Sequence, residues 1–523
     1  MSGIGRTFGR RHVRALAIVA VALGVMLPAG KAQAAPSQAD CDARPNNTPQ
    51  KMIECIRLGQ VRAHQAALQA IADANGGTRA AGLPGYTASV DYVVDTLEAA
   101  GWDVTLDEFP FQFFPPAVLQ QLTPVSATYE TGVFTNSGTG DVTGSVIPVD
   151  IHLAPPRPSD SGCEPADFAG LDFSGPSDIA LIQRGTCTFA QKVQNAQAAG
   201  AEAVVIFNQG NDPTREGLIV GTLAPFQASV PVVGASFADG AALSQPGSTA
   251  HVKVDPPESR PQVNVLAERK GANDNNVVMA GAHLDSVQAG PGINDDGSGS
   301  AVLLEVAQQL AHVKLQNTVR LAWWGAEESG LLGSGAYVAG LSQAEKDRIA
   351  LYMNFDMVGS PNYIFMTQDA DQSSFQAPIA VPPGSTAIED LFESFYTKQG
   401  EPYDDAAFDG RSDYQAFIQN GIPAGGLFTG AEVPKTPAQV AIWGGTAGVQ
   451  FDPCYHLACD TFANNNNHAL TVNADLIGFA VLSYSYSTQS VNGVPGKIVP
   501  GNYRLPAPAG TQGTCPVNPP NCT

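Results

Sequence analysis

The chain has 523 residues and a formal net charge of −22, with 27 Lys and Arg against 49 Asp and Glu. So acidic a surface repels nucleic acid and anionic lipid, which excludes both as partners on charge grounds. The length exceeds what one simple core holds and predicts two or three domains.

The first 34 residues read as a leader. Arg6, Arg10, Arg11 and Arg14 form a basic head, Ala15 to Leu27 an apolar run, and Ala32-Gln33-Ala34 a small-x-small cleavage site. The apolar run is too short to span a bilayer. The leader therefore predicts a secreted or periplasmic protein with no membrane attachment after cleavage; Arg10-Arg11 also allows twin-arginine export. An even count of eight cysteines in an exported chain predicts disulfides. Taken in chain order the pairs are Cys41–Cys55, Cys163–Cys187, Cys454–Cys459 and Cys515–Cys522. Other connectivities are open on sequence alone, and a Cys/His zinc site from Cys454, His456 and Cys459 is a rival that an oxidising compartment disfavours.

A helix is expected over about Gln50 to Ala72. Val90, Val93, Val94 and Leu97 repeat at helical spacing, Gly101 stops that helix, and Val104, Leu106 and Phe109 predict a strand. From about Pro124 to Pro261, Gly, Pro, Ser and Thr become frequent and segments shorten. Inside this stretch Asp178–Gln183 and Ala203–Phe207 read as strands. Between them, Phe189–Ala199 is a helix closed by Gly200, which makes a compact βαβ unit. His152 and His251 have no acidic cluster and take no metal role; His64, His312 and His468 read as packing or surface residues. Beyond 262, strands ending at His283, Trp324 and Asp356 alternate with helices over about Ser298–His312, Ile388–Tyr396 and Ala474–Tyr484. This predicts an α/β fold, a largely parallel sheet with helices on both faces. The expected plan is one discontinuous domain from 45–123 and 262–490, an insert over 124–261, and a Pro-rich, extended tail over 491–523.

Five metal-capable side chains fall in the second half: His283, Asp295, Glu328, Asp356 and His456, separated by 12, 33, 28 and 100 residues. No local motif has such spacing, so the fold must assemble the site. Most of the five lie where an apolar strand gives way to a loop, and strand C-terminal ends converge on one crevice in α/β sheets. Three carboxylates and two imidazoles have the composition of a two-metal hydrolytic site. Two adjacent pairs stay ambiguous at this level. Glu327 and Glu328 share one cavity only if the backbone turns, which Gly325 and Gly330 permit. Either Asp295 or Asp296 can be the ligand in Gly292-Ile-Asn-Asp-Asp-Gly-Ser-Gly-Ser300, the other capping the helix that follows. Trp323 and Trp324 read as strand core and cavity wall.

Two resemblances sharpen this. Ile179 to Asn208, with Gln183-Arg184-Gly185 and the Cys163/Cys187 pair, resembles the protease-associated domain inserted in several exopeptidase families. Gly281-Ala-His-Leu-Asp-Ser-Val287, Gly-Ile-Asn-Asp-Asp-Gly-Ser-Gly, Trp-Trp-Gly-Ala-Glu-Glu, Asn-Phe-Asp-Met and Cys454-Tyr-His456 resemble, in order, the motifs of the M28 family of zinc aminopeptidases, above all its secreted bacterial leucine-type members. Gly410-Arg-Ser-Asp413 and Gly425-Gly-Leu-Phe-Thr-Gly430 extend the match. The resemblance implies a three-layer α/β/α zinc-exopeptidase sheet interrupted by a smaller, mostly-β protease-associated domain. It implies two zinc ions per chain bridged by Asp295, with His283 and Asp356 completing one and Glu328 and His456 the other. Glu327 resembles the general base, Asp285 the carboxylate that orients His283, and Tyr455 the donor to the tetrahedral intermediate. Arg411 and Phe428 are the expected substrate contacts, although Tyr414 stands where these relatives often carry His.

The expected partner is a peptide with a free N-terminus, acted on by a monomer; a calcium site is not predictable from the sequence and stays open. Rivals are a carboxypeptidase or dipeptidase, for which only Arg411 offers a carboxylate anchor, and a glutaminyl-cyclase-like enzyme with a single zinc. A non-catalytic binding protein is disfavoured because no ligand is missing.

Overall fold

The computed structural model describes residues 36–515 and 522; the expected leader lies outside them. Eight strands form the larger sheet, in the order Asp103–Phe109, Gln262–Arg269, Asn317–Trp324, Asn273–His283, Ile349–Phe355, Ala424–Phe428, Met366–Gln368, Asp404–Ala406. The four middle strands, from Asn317–Trp324 to Ala424–Phe428, run parallel. Antiparallel pairings flank them on both sides, and beyond one of these the two edge strands Met366–Gln368 and Asp404–Ala406 again run parallel.

The strand Asn273–His283 is continuously buried from Asn276 to His283, as expected of a parallel strand covered on both faces. Its side chains alternate between two cores. Val278, Ala280 and Ala282 pack with the helices Leu58–Ala74, Pro84–Ala99, Gly297–Leu310, Ser385–Gln399 and Asn467–Tyr486. Val277 and Met279 face the helices Leu332–Gly340 and Tyr414–Gln419. The result is three layers. The same alternation separates the adjacent tryptophans, Trp323 into the first core and Trp324 into the second. Trp324 is thus core rather than the cavity wall expected of it.

The helix expected over Gln50–Ala72 is two helices, Pro49–Cys55 and Leu58–Ala74. The break falls where Cys55 is bonded to Cys41 and where Ile56, in extended backbone, drops into the core. Gly101, left-handed at φ +75°, ends the helix Pro84–Ala99 as its sequence predicts.

A second, seven-stranded sheet is built from residues 118–254, with the helices Phe189–Ala199 and Phe237–Leu243 beside it. Its strand Val118–Thr123 pairs with Thr249–Val254, so this unit takes in residues before 124. The short pair Gln112–Phe113 and Glu258–Ser259 holds the outgoing and returning chain together at its base. All eight cysteines are bonded in sequential pairs, which removes the Cys/His zinc alternative. After the short helix Gln489–Asn492 the tail carries no regular element through Cys515. It is fastened where Asp404 accepts from the backbone N–H groups of Gly513 (2.7 Å) and Thr514 (2.9 Å).

Gly281 sits where the central strand crosses a buried aromatic pair. A Cβ there would come within 2.5 Å of Tyr352 Oη and 2.6 Å of Trp324 Nε1. Neither ring can move away in a packed core. Gly281→Ala is expected to lower unfolding stability by about 1–3 kcal/mol, measured by denaturant titration.

Candidate metal centre

The central strand is also the point where chain direction across the sheet reverses. From Asn273–His283 the chain goes to Asn317–Trp324 on one side, then to Ile349–Phe355 on the other. A crevice opens beyond the C-terminal ends of strands at such a reversal. His283 is the last residue of the central strand, Glu327 and Glu328 follow Trp324, and Asp356 follows Phe355. Asp295 arrives from the entry to the helix Gly297–Leu310, and His456 from a loop closed by the Cys454–Cys459 disulfide.

These groups meet. His283 Nε2 lies 3.1 Å from Asp295 Oδ1 and 3.6 Å from Asp356 Oδ1. His456 Nε2 lies 3.2 Å from Asp295 Oδ2 and 2.9 Å from Glu328 Oε2. The two oxygens of Asp295 therefore face two separate imidazole–carboxylate pairs. Asp296 behaves differently. Its Oδ1 accepts from the N–H groups of Gly299 (2.8 Å) and Met357 (3.2 Å), and its Oδ2 from the N–H of His283 (3.2 Å). It caps the helix and ties two strand ends together, leaving Asp295 as the free carboxylate. The peptide between the two aspartates is cis.

Backbone turns aim the candidate ligands. Ala326 (φ +56°), Met357 (φ +55°) and His456 (φ +58°) all adopt the left-handed conformation. Such residues cost energy and persist where surrounding structure enforces them, commonly at functional sites. The turn that brings Glu327 and Glu328 into one cavity thus occurs at Ala326. Gly325 serves another need, since a Cβ there would lie 2.3 Å from Tyr86 Oη. The carboxylate of Asp285 secures this turn by accepting from the N–H groups of Glu327 (3.1 Å) and Glu328 (3.3 Å). His283 Nδ1 is 3.0 Å from the backbone carbonyl of Asp285 but 3.7 Å from its carboxylate. The carbonyl, rather than the side chain the resemblance points to, is therefore the acceptor that leaves Nε2 free to bind a cation.

Electrostatics mark the cavity as short of positive charge. Burial raises Glu327 well above the usual carboxylate range, and burial with Asp295 nearby pushes Glu328 up to about 7. Burial likewise lifts Asp413 to about 7. Burial disfavours the charged form of His456, yet Asp295 and Glu328 outweigh it and raise this imidazole to about 10. Glu328 Oε1 is buried with no hydrogen-bond partner. Burial thus favours the neutral form of Glu327, Glu328 and Asp413, while the two imidazoles hold Asp295 low. A donor set of two imidazoles and three carboxylates, with one carboxylate shared, fits two cations of the zinc type.

Several supports escaped sequence reading because no local pattern marks them. Arg79, fully buried, donates to the carbonyls of Leu284, Pro291 (2.8 Å) and Gly292 (2.5 Å) and so braces the loop between His283 and Asp295. Asp460 accepts from the N–H groups of Asn294 (2.9 Å) and Asp295 (3.0 Å). A one-way chain of hydrogen bonds reaches Asp356. Trp324 Nε1 donates to Tyr352 Oη (2.8 Å), Tyr352 to Asn354 Oδ1 (2.9 Å), Asn354 Nδ2 to Ser412 Oγ (2.8 Å), and Ser412 to Asp356 Oδ2 (2.5 Å).

The cavity, about 350 Å³, is lined by Asp295, Glu327, Glu328 and Asp356 at its floor, with Phe428, Leu427 and Met357 among its apolar walls. Arg411 and Tyr455 stand at its edge. The Arg411 guanidinium pairs with Glu432 (3.0 Å) and donates to Tyr455 Oη (3.2 Å). The Tyr455 ring stacks on His456 at 3.8 Å between centroids.

Fold and site together are those of a zinc-exopeptidase-type α/β protein carrying an inserted domain. The profile of peptidase family M28 matches residues 264–481, and that of the PA domain residues 142–243. Over 456 residues the chain is 46% identical to an aminopeptidase of Pseudomonas aeruginosa, covering 85% of this chain and 84% of that protein. It is 44% identical over 449 residues to a probable lipoprotein aminopeptidase of Mycobacterium tuberculosis, covering 84% and 87%. The solved zinc aminopeptidase BSAP of Bacillus subtilis is similar at a TM-score of 0.59 and 25% identity, over 82% of this chain and 94% of that one. The chain belongs to peptidase family M28.

Ser412→Ala should leave Asp356 without its shortest donor and Asn354 without an acceptor. Losing such a support typically costs about 10–100-fold in metal affinity or activity. Competitive chelation and steady-state kinetics on the purified variant measure both.

Proposed function

We propose that this M28 aminopeptidase is an extracytoplasmic enzyme that removes N-terminal, preferentially apolar residues from peptides at a site holding two zinc ions. The observation that carries the reading is Asp295, with one oxygen toward His283 and Asp356 and the other toward His456 and Glu328. His283, Asp356 and one Asp295 oxygen would hold one zinc; His456, Glu328 and the other oxygen the second. Bound zinc lowers the pKa of water from about 16 to roughly 7 and polarises a carbonyl.

The remaining roles belong to the chain's own groups. Glu327, buried at the cavity floor and outside both ligand triads, takes the proton of the attacking water and delivers it to the leaving amine. Tyr455, held by Arg411, donates to the oxygen that becomes negative as the carbonyl is attacked. The acidic floor attracts the α-ammonium of a substrate N-terminus, and the wall at Phe428, Leu427 and Met357 receives an apolar first side chain. Arg411 would be the carboxylate anchor of a carboxypeptidase, but Glu432 and Tyr455 already occupy its guanidinium. Two cation seats in place of one speak against a glutaminyl-cyclase-like reaction.

Residues 45–117 and 262–490 carry this chemistry in our reading, with 118–261, which includes the strand Val118–Thr123, as the protease-associated insert and 491–523 as the tail. Four disulfides and the leader motif support an extracytoplasmic location. Among the described residues no helix is long and apolar enough to cross a membrane.

Glu327→Ala is expected to keep both metals and lose at least about 10²-fold in kcat, checked by elemental analysis beside turnover of an aminoacyl chromophore. Near-normal turnover with full metal content would remove the mechanism. The same substrate acetylated at its amine should not be cleaved; cleavage at a comparable rate would refute the exopeptidase assignment.

A further inference from the structure

Away from the catalytic cavity, five carboxylates gather at the far edge of the larger sheet. Asp369 and Asp371 lie in the loop after the strand Met366–Gln368. Glu389 and Glu393 stand one turn apart on the helix Ser385–Gln399, and Asp405 is on the strand Asp404–Ala406. One ligand oxygen from each of Asp369, Asp371 and Glu389 lies within 4.8 Å of the others, and the same is true of Glu389, Glu393 and Asp405. Four of these side chains are buried: Asp369, Glu389, Glu393 and Asp405 are 1%, 3%, 9% and 1% exposed. Asp371 is exposed and opens the cluster to solvent.

Backbone donors satisfy part of this charge. Asp369 accepts from the N–H groups of Ser373, Ser374 and Phe375, Asp371 Oδ1 from Ser373, and Glu389 Oε2 from Ala370 and Asp371. The Ser373 and Ser374 hydroxyls both donate to Asp405 Oδ2. Asp405 Oδ1 is buried and accepts nothing. Among the described residues no Lys, Arg or His forms an ion pair with any of the five. Like charges four residues apart on a helix repel, and a buried carboxylate without a partner is strongly unfavourable. A cation would neutralise these charges, and the donors are all hard oxygens.

We propose that Glu389, Glu393 and Asp405, with Asp369 and Asp371 on the solvent side, form a calcium site separate from the zinc centre. Calcium takes six to eight oxygens in irregular geometry, which clustered carboxylates provide, whereas protein zinc sites generally include at least one nitrogen or sulfur ligand, and this cluster has none. The ion is a brace. It joins the 369–375 loop, the helix and the edge strand. Gln368, just before that loop, and Ala407 to Ser412, just after that strand, approach or line the catalytic cavity, and Ser412 holds Asp356. The ion therefore stiffens the cavity wall without touching substrate.

The test is calorimetric titration of calcium chloride into the full, zinc-loaded chain after removal of free calcium by gel filtration, with zinc content measured before and after. About one calcium per chain should bind with a Kd at or below about 1 mM, zinc being retained. The thermal midpoint should rise by roughly 5 °C at a hundredfold excess over Kd. Glu393→Gln and Asp405→Asn should each weaken calcium binding at least tenfold while keeping full zinc content. Absence of binding up to about 10 mM calcium, uptake only in exchange for zinc, or undiminished binding by both variants overturns the proposal. A variant that fails to fold does not affect the decision, because the titration of the unmodified chain stands alone. Zinc content and aminopeptidase turnover are read separately, so failure here leaves the catalytic assignment intact.

Discussion

The site depends on an excess of buried negative charge that the polypeptide does not neutralise. Asp285, Asp295, Asp296, Glu327, Glu328, Asp356 and Asp413 crowd around two imidazoles. The buried Arg79 donates to three loop carbonyls, and Arg411 at the rim is paired with Glu432. Removing such charges from water is expensive unless they are paired or coordinated. The fold meets part of the cost with backbone N–H groups, spent on Asp285 and Asp296, which are thereby fixed as scaffold. What backbone donors leave unmet, at Asp295, Glu328 and Asp356, is where we propose the cations sit. Division of labour between adjacent aspartates follows from this: the one supplied with N–H donors is structural, and the one facing imidazoles is the proposed ligand.

Much of this was readable in advance because the parallel strands announce themselves. Continuous apolar runs ending in His283, Glu328 and Asp356 locate the C-terminal edge of a covered sheet, and the edge locates the crevice. The helix after Asp296 and the stop at Gly101 follow from capping and periodicity. Reading failed where tertiary packing decides. Nothing local distinguishes Trp323 from Trp324 until strand alternation sends them into opposite cores. The break at Ile56 reflects a disulfide and a core contact, and the strand Val118–Thr123 is recruited to the smaller sheet by pairing across more than a hundred residues. Arg79, Ser412 and Asp460 act through single contacts made at long range, so spacing carries no trace of them.

Position of the turn is a subtler case. Glycines at 325 and 330 suggest where the chain bends, yet the bend that presents both glutamates occurs at Ala326. Gly325 is small because Tyr86 passes against it, with its hydroxyl donating to Val263 at 2.6 Å. A strained alanine is tolerated because Asp285 clamps the next two N–H groups. Strain and clamp together fix Glu327 beside, but outside, the proposed ligand set, which in our reading separates a proton carrier from a metal ligand in two otherwise identical neighbours.

The two acidic clusters of the larger domain show how the same physics selects different ions. At the crevice, imidazoles interrupt the carboxylates, lowering the net negative charge and supplying nitrogen, and the cations so favoured bind few ligands tightly and polarise what else they touch. At the sheet edge the donors are oxygens alone, some shared with serine hydroxyls and loop N–H groups, and such a set favours an ion that binds many ligands loosely. The first cluster opens into a cavity with an apolar wall. In our reading the chemistry belongs to the crevice, while the proposed ion at the edge acts through the rigidity of the segments it joins. Those segments end beside Ser412, the last donor in the chain of hydrogen bonds that fixes Asp356, so the mechanical and the chemical site share one structural element.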